Sequence, residues 1–361
     1  MFLSIREFKY AKLRYLLVSC IMVLIALLVL FVSGLAKGLS SDNASSIQNM
    51  NADYLVLQHG SDHRLNRSIL PEHAFDNVRR ELGKKDAAPL NVQMGSITKS
   101  RTAKKLDATF FAIDARSMIA PKITEGKNLS LDTMSEVVAD QALKKNGIRL
   151  GDTIQDQVSG KHFTIVGFTK GQSFSHSPVI HINLNEWKSM NHSTDVNAIA
   201  IKADSAMAKK ISSTVSGVEV ISKKEALKGI PGYQEEQGSL IMMIAFLFII
   251  AAFVLAVFFY VITIQKINQF GVLKAIGAKS GYIARTIIAQ IFLLTLASLF
   301  IAICLAYGLS YLLPDGMPFD LSVQLVLGCS ILFIFVSLLG SLLSLYRVTK
   351  IDAIEAIGRA A

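Results

Sequence analysis

Leu16–Leu35 reads LLVSCIMVLIALLVLFVSGL, twenty positions without a charge. A hydrocarbon core of ~30 Å takes roughly 20 helical residues to cross, so the run reads as a membrane span. Three further runs of this kind lie late in the chain, near Ser239–Ile264, Tyr282–Leu313 and Val323–Tyr346. Of the 361 residues 52% are apolar and 18% charged, where a soluble domain carries about 25% charge. The apolar excess is confined to the four runs, and residues 40–235 read as an ordinary polar globular sequence. A simple soluble enzyme, a disordered chain and a pure multi-span bundle are therefore excluded. The expected fold is an α+β membrane protein: four transmembrane helices in a 1+3 layout, with a large extracytoplasmic α+β domain between the first and second.

Small residues at Ser33–Ala36 would suit a signal-peptide cleavage site. However, a signal h-region spans only about 7–15 residues, and the longer run favours a retained span. The chain then divides into an interfacial helix at 1–15, a span at 16–38, an outer domain of two subdomains at 39–237 and a span at 238–264. A cytoplasmic segment at 265–281, a span at 282–313, an outer loop at 314–322, a span at 323–346 and a cytoplasmic tail at 347–361 complete it.

Basic residues set the orientation. Arg6, Lys9, Lys12 and Arg14 precede the first span; Lys266, Lys274 and Lys279 lie between the second and third, with Arg285 just inside the start of the third; Arg347, Lys350 and Arg359 follow the fourth. The loop after the third span holds Asp315 and Asp320 with no Lys or Arg. Both termini are expected in the cytoplasm and the large domain outside a bacterial cell membrane. The net charge of +10 follows topology and suits an anionic inner leaflet, with no basic stripe for nucleic acid. Phe2, Ile5 and Phe8, interleaved with Arg6, Lys9 and Lys12, read either as an interfacial helix on membrane lipid or as a charged flank.

Cys20, Cys304 and Cys329 all fall in spans, so the outer domain has no disulfide and no cysteine metal site. Strand-like runs occupy 53–58, 109–113, 162–168, 179–184 and 197–201, and helical ones 71–82, 136–146 and 205–215. A subdomain boundary is expected near 115–130, and Pro231–Gly238 reads as a polar hinge. His59 and His63 are four apart, but Gly60 and Ser61 between them favour a turn over a metal site. No phosphate loop, nucleophile elbow or H-E-x-x-H occurs, so no enzyme, resident cofactor or metal is expected.

The segment Gln265–Arg285 (QKINQFGVLKAIGAKSGYIAR) sets Ile267, Phe270, Leu273 and Ile276 roughly on one helical face, and the tail spaces Ile351, Ile354 and Ile357 by three. A short amphipathic helix between spans can dock in a partner's groove.

Gly271–Ala278 (GVLKAIGA) resembles the coupling segment of FtsX-like (MacB-type) ABC transporter permeases. Ile351–Ile357 is similar to that family's closing motif, with Ala353 where proline is usual. Leu150–Ile154 followed by Phe163–Gly167 is similar to its second extracytoplasmic subdomain, and the 1+3 layout with its MacB-like domain extends the resemblance over the whole chain. Within the family the chain looks most like haem-exporting permeases of Gram-positive bacteria, the HrtB type. This likeness rests on Ile5-Arg6-Glu7, Lys12–Tyr15, Ser33–Leu39, Tyr233–Gln237, Phe258–Val261, Thr263–Ile267 and Met317-Pro318-Phe319.

The resemblance implies a permease homodimer with two copies of a separate cytoplasmic ABC ATPase, driving haem efflux by mechanical transmission; haem is the transported substrate. Leu273 and Ile276 would anchor the ATPase, around Gly277, with Lys274 and Lys279 either docking it or serving as inside-positive anchors. Glu236, Tyr233 and Glu235, at the outer start of the second span, would bind haem or merely end the span. Gly34 and Gly38 would admit a flat ligand or a packing helix, with Met22 and Phe31 as apolar walls. Alternatives within the family are export of a membrane-active peptide, lipoprotein release, or a non-transporting FtsX-type lever on a cell-wall hydrolase.

Overall fold

The computed structural model describes residues 12–83, 85–99, 104–130, 133–314 and 317–349. The interfacial segment before Lys12 and the tail motif Ile351–Ile357 lie outside the described residues. The helices are α1 (Lys12–Gln48), α2 (Glu72–Leu82), α3 (Leu184–Asn191), α4 (Ser205–Thr214), α5 (Lys223–Lys228), α6 (Tyr233–Gln265), α7 (Ile267–Ala275), α8 (Ser280–Ser310) and α9 (Val323–Thr349). The strands are β1 (Tyr54–Gln58), β2 (Ala87–Lys99), β3 (Lys105–Ile113), β4 (Ile123–Gly126), β5 (Glu136–Asp140) and β6 (Thr153–Asp156). They continue with β7 (His162–Thr169), β8 (Ser173–Phe174), β9 (Ser177–Asn183), β10 (Ala198–Ile201) and β11 (Val218–Ser222). Contacts divide the chain into two compact units, one of residues up to Gly38 and from Gly238 onward, the other Leu39–Gln237.

In the first unit α1, α6, α8 and α9 are each long and apolar enough to cross a membrane. Met22 and Leu30 of α1, Phe259 of α6 and Phe333 of α9 are fully buried in one apolar cluster. Helix contacts in lipid depend on close approach, and Gly340 supplies one: a Cβ there would sit 3.1 Å from the backbone N of Ala256. The outward residues are large and apolar, with Phe253 71% and Phe300 69% exposed, as a surface facing lipid requires.

The second unit is built on one sheet of order β11-β1-β10-β2-β3-β9-β5-β7-β4, and β6 pairs with both β2 and β7. The pairings β2-β3-β9-β5-β7-β6-β2 close a ring of six strands. Alternation along the strands sends Phe110, Ile180, Val137, Phe163 and Ile154 into one buried cluster, and Phe111, Val179 and Val138 into another. β2 is shared: Ala87–Leu90 pairs with β10 while Ile97–Lys99 pairs with β6. The domain is therefore not cut at 115–130. The ring is an insertion between β1 and β10, joined to the outer strands through one long strand.

All five expected strands form. So do the helices near 71–82 and 205–215, with Pro71 and Asp204 as N-caps. The helix expected over 136–146 is corrected. Residues Glu136–Asp140 are a buried strand, and only Gln141–Asn146 turns, as a 3₁₀ helix. Val137 and Val138 favour the strand. The Asp140 carboxylate accepts from Ala142 N at 2.8 Å and starts the turn there.

His181 on β9 is buried, and burial pushes its imidazole down to about 3, opposed by the Val138 backbone. An exposed histidine titrates near ~6.5, so unfolding takes up a proton between these values. Stability is therefore full above about 6.5 and falls as pH drops toward 3, by about 1.4 kcal/mol per pH unit. Hydrogen-exchange protection of the β9 amides should decline through that window in the full chain, and His181→Gln should flatten the decline by one proton. An equally steep decline in the variant would exclude His181 as its cause.

Candidate functional site

The expected hinge at Pro231–Gly238 is corrected: α6 starts at Tyr233, so most of that segment is its first turns. Glu235 and Glu236 stand in the first turn, where carboxylates suit the positive end of the helix dipole. α1 likewise continues to Gln48, ten residues past the expected end of the span. Within the sheet unit these two helix ends meet. Asn43 Nδ2 donates to Glu236 Oε2 at 2.7 Å, and the hydroxyls of Ser40 and Tyr233 lie 3.4 Å apart.

A histidine outside the expected site residues closes this junction. His176 lies 2.9 Å through Nδ1 from Asp42 Oδ2 and 3.2 Å through Nε2 from Glu236 Oε2. It sits at the tip of the β8–β9 hairpin, where Ser175 and His176 both hold positive φ, 51° and 59°. Two-residue hairpins demand that backbone, which glycine or asparagine adopts at least cost; a serine and a histidine there carry strain. Ser175 N donates to Asn43 O at 2.7 Å and fastens the tip to α1. The only sequence signal was Phe174–Pro178, FSHSP, a turn between two strand-like runs.

Tyr233 also packs on the apolar core of its unit, while Glu235 is exposed. His59 and His63 flank a turn, with His63 Nε2 3.8 Å from Glu219 Oε2.

Gly34, Gly38 and Phe31 are brought together in the other unit, by the segment Met317–Leu321 rather than by a helix. A Cβ on Gly34 would fall 2.8 Å from the Phe319 ring, and one on Gly38 2.3 Å from the Pro318 backbone. Asp320 N donates to Gly34 O at 3.0 Å, and the Phe31 and Phe319 rings are 5.1 Å apart. Met22 is enclosed among the packed helices and fully buried.

The segment after α6 forms as a short helix with a sharp stop. Gly277 has φ +96°, its N–H donates to Lys274 O at 3.0 Å, and Ala278 N donates to Leu273 O at 2.9 Å. That is the Schellman pattern, and it explains physically why the Ala-Ile-Gly-Ala run carries a glycine. Lys279 then occupies the N-cap position of α8. The face expected to be uniform is divided. Phe270 is buried against the membrane helices and Leu273 packs partly against them, whereas Val272 and Ile276 are 58% and 77% exposed. An apolar groove of about 310 Å³ runs beside them, lined by Leu273, Tyr282 and Ile287 among others. Lys266, one of the basic residues between the second and third spans, is 5% exposed: its Nζ donates to the Tyr15 hydroxyl and to Gln290 Oε1, and Gln290 Nε2 also donates to Tyr15.

Residues 241–353 match the family described as FtsX-like permease C-terminal. A protein of Staphylococcus haemolyticus provisionally named hemin transport system permease protein HrtB is 33% identical over 99% of both chains. One of the same name from Staphylococcus epidermidis is 30% identical over 99% of both. The periplasmic region of MacB from Actinobacillus actinomycetemcomitans aligns with TM-score 0.38 and 15% identity, over 49% of this chain and 92% of that one. With a third of its residues shared along its whole length, this chain belongs to the FtsX-like permeases and is an ABC transporter permease subunit similar to those staphylococcal proteins.

Proposed function

We propose that this permease takes haem from the membrane and exports it, as a homodimer working with two copies of a cytoplasmic ATPase. The observation that carries the reading is the cluster of Tyr233, Glu236 and His176 at the first turn of α6, just ahead of its apolar run. Tyrosine and histidine are haem-iron ligands, and a carboxylate is a further oxygen donor. The names of the staphylococcal relatives agree with it. The basic residues flanking the spans put both termini in the cytoplasm and the sheet domain outside. In this reading haem reaches the junction from the outer leaflet. There it competes with Asn43 and His176 for Glu236.

On the cytoplasmic side the exposed edge of Val272 and Ile276, with the groove beside Leu273, forms the ATPase seat. Lys274 and Lys279 supply charge around it, and the Gly277 stop keeps α7 short enough to move as one piece.

Absorption titration of the purified permease–ATPase complex with haemin should give a saturable Soret shift at about one haem per dimer. Glu236→Ala and Tyr233→Ala should abolish that shift and haemin resistance while the complex still assembles. A shift no larger than detergent alone would end the haem reading; an unchanged shift in Glu236→Ala would leave Glu236 as a strut. Ile276→Asp should weaken ATPase co-purification by about tenfold or more, as for a lost central apolar anchor. Undiminished co-purification would move the seat elsewhere.

A further inference from the structure

Strand direction sorts the connections of the six-strand ring between its two ends. β3 and β9 run parallel, with Thr109 opposite Val179, and both begin at one end. β5 and β7 run parallel and both finish at one end, with Asp140 opposite Thr169, and β4 starts beside Thr169. β5 is antiparallel to β9, with Ala139 opposite Ile180, so these ends coincide. The β2–β3, β5–β6 and β7–β8 connections therefore share one end of the ring. Ser175 and His176 hold Asn43, Asp42 and Glu236 at that end. It is thus also where the chain of this unit enters and leaves, and α1 and α6 carry it from there into their apolar runs.

This end is basic. Lys99–Lys105, KSRTAKK, has four basic residues and no acid. Lys104, Lys105, Lys122, Lys145, Arg149 and Lys170 are exposed, and none has an ion pair among the described residues. The carboxylates there are mostly engaged: Asp152 pairs with Lys99 at 2.6 Å, Glu125 with Lys144, and Asp42 and Glu236 with His176. Asp140 is buried, and Asp107 and Glu235 are exposed. At the opposite end the β4–β5 and β6–β7 connections carry one lysine each, Lys127 and Lys161, and both meet a carboxylate, on Glu136 and Glu186. Leu150, 39% exposed, follows Arg149 among the unpaired cations. Basic side chains with an apolar one among them are the composition that an anionic lipid surface attracts.

From this charge, and from the passage of the chain into apolar helices at the same end, we propose that the basic end of the ring docks on the phosphate headgroups of anionic lipid. The six cations are spread over four separate segments, which matches an extended array of phosphates better than one small anion. Each basic residue near such a surface strengthens the attraction by about fivefold. The proposal goes beyond the export reading and does not rest on it, since neither Tyr233 nor Glu236 belongs to the surface.

The test is hydrogen exchange of the full chain in nanodiscs of phosphatidylcholine alone or with a third of phosphatidylglycerol. Amides of 104–106 and 144–150 should exchange about fivefold or more slowly in the anionic discs, while those of β9 stay unchanged. The slowing should vanish in 1 M NaCl, where the Debye length is ~3 Å. It should also vanish in the fourfold variant Lys104→Glu, Lys105→Glu, Lys145→Glu and Arg149→Glu. Lys104→Gln with Lys105→Gln, which changes two exposed side chains without reversing charge, should lose most of it at 104–106. Equal exchange in the two lipids, or slowing kept in both variants, would overturn the proposal. The same slowing produced by glycerol phosphate in phosphatidylcholine discs would overturn it in favour of a soluble phosphate.

Discussion

A chain in hydrocarbon must satisfy its own backbone hydrogen bonds, so α1 and α6 can end only where other groups take over their orphan amides and carbonyls. α1 ends at Gln48, and Lys223 Nζ donates to Gln48 O and Met50 O at 3.3 and 2.9 Å. Asn49 Nδ2 donates to Gly171 O, and Ser173 N to Ser45 Oγ, both at 2.9 Å. α6 opens with acidic residues in its first turn, one of them bonded to Asn43. Loops at residues 39 or 237 would have needed their own solution to the same problem. Carrying the helices onward removes that need and sets Asp42, Asn43, Tyr233 and Glu236 on rigid backbone, where their geometry is fixed.

How far the sequence shows this differs by element. Composition marks the spans, because twenty uncharged residues have few other uses. Runs such as His162–Thr169 and Ser177–Asn183 show as strands through their β-branched and aromatic residues. β2 does not: Pro89, Asn91 and Gly95 interrupt it, and such residues argue against a central strand. Yet it pairs with β10, β3 and β6 and holds the domain together. Glu136–Asn146 fits helical spacing until Asp140 is read as a cap. At the site, Tyr233 and Glu236 could be named as polar residues flanking a span. Their partners could not, since His176 is over fifty residues away in sequence and is brought to them only by β8–β9 pairing. The glycines at 34 and 38 signal close approach, but nothing in sequence says that Pro318 and Phe319 are what approaches.

The basic residues near α7 look alike in sequence and do different things. Lys279 is exposed and only occupies the residue before α8, with no side-chain cap bond, whereas Lys266 is buried and joins Tyr15 of α1 to Gln290 of α8. A hydrogen bond to a charged group contributes about 1.5–3 kcal/mol, so the link between α6, α1 and α8 is strengthened at this point. Beyond α7, the turn at Ile276–Lys279 has Ile276, Gly277 and Lys279 exposed and is held by backbone bonds alone. The α6 end of α7 is therefore joined to its neighbours by a buried side-chain network, and the α8 end by a backbone turn. The asymmetry between the two ends of α7 comes from one buried ammonium and one glycine.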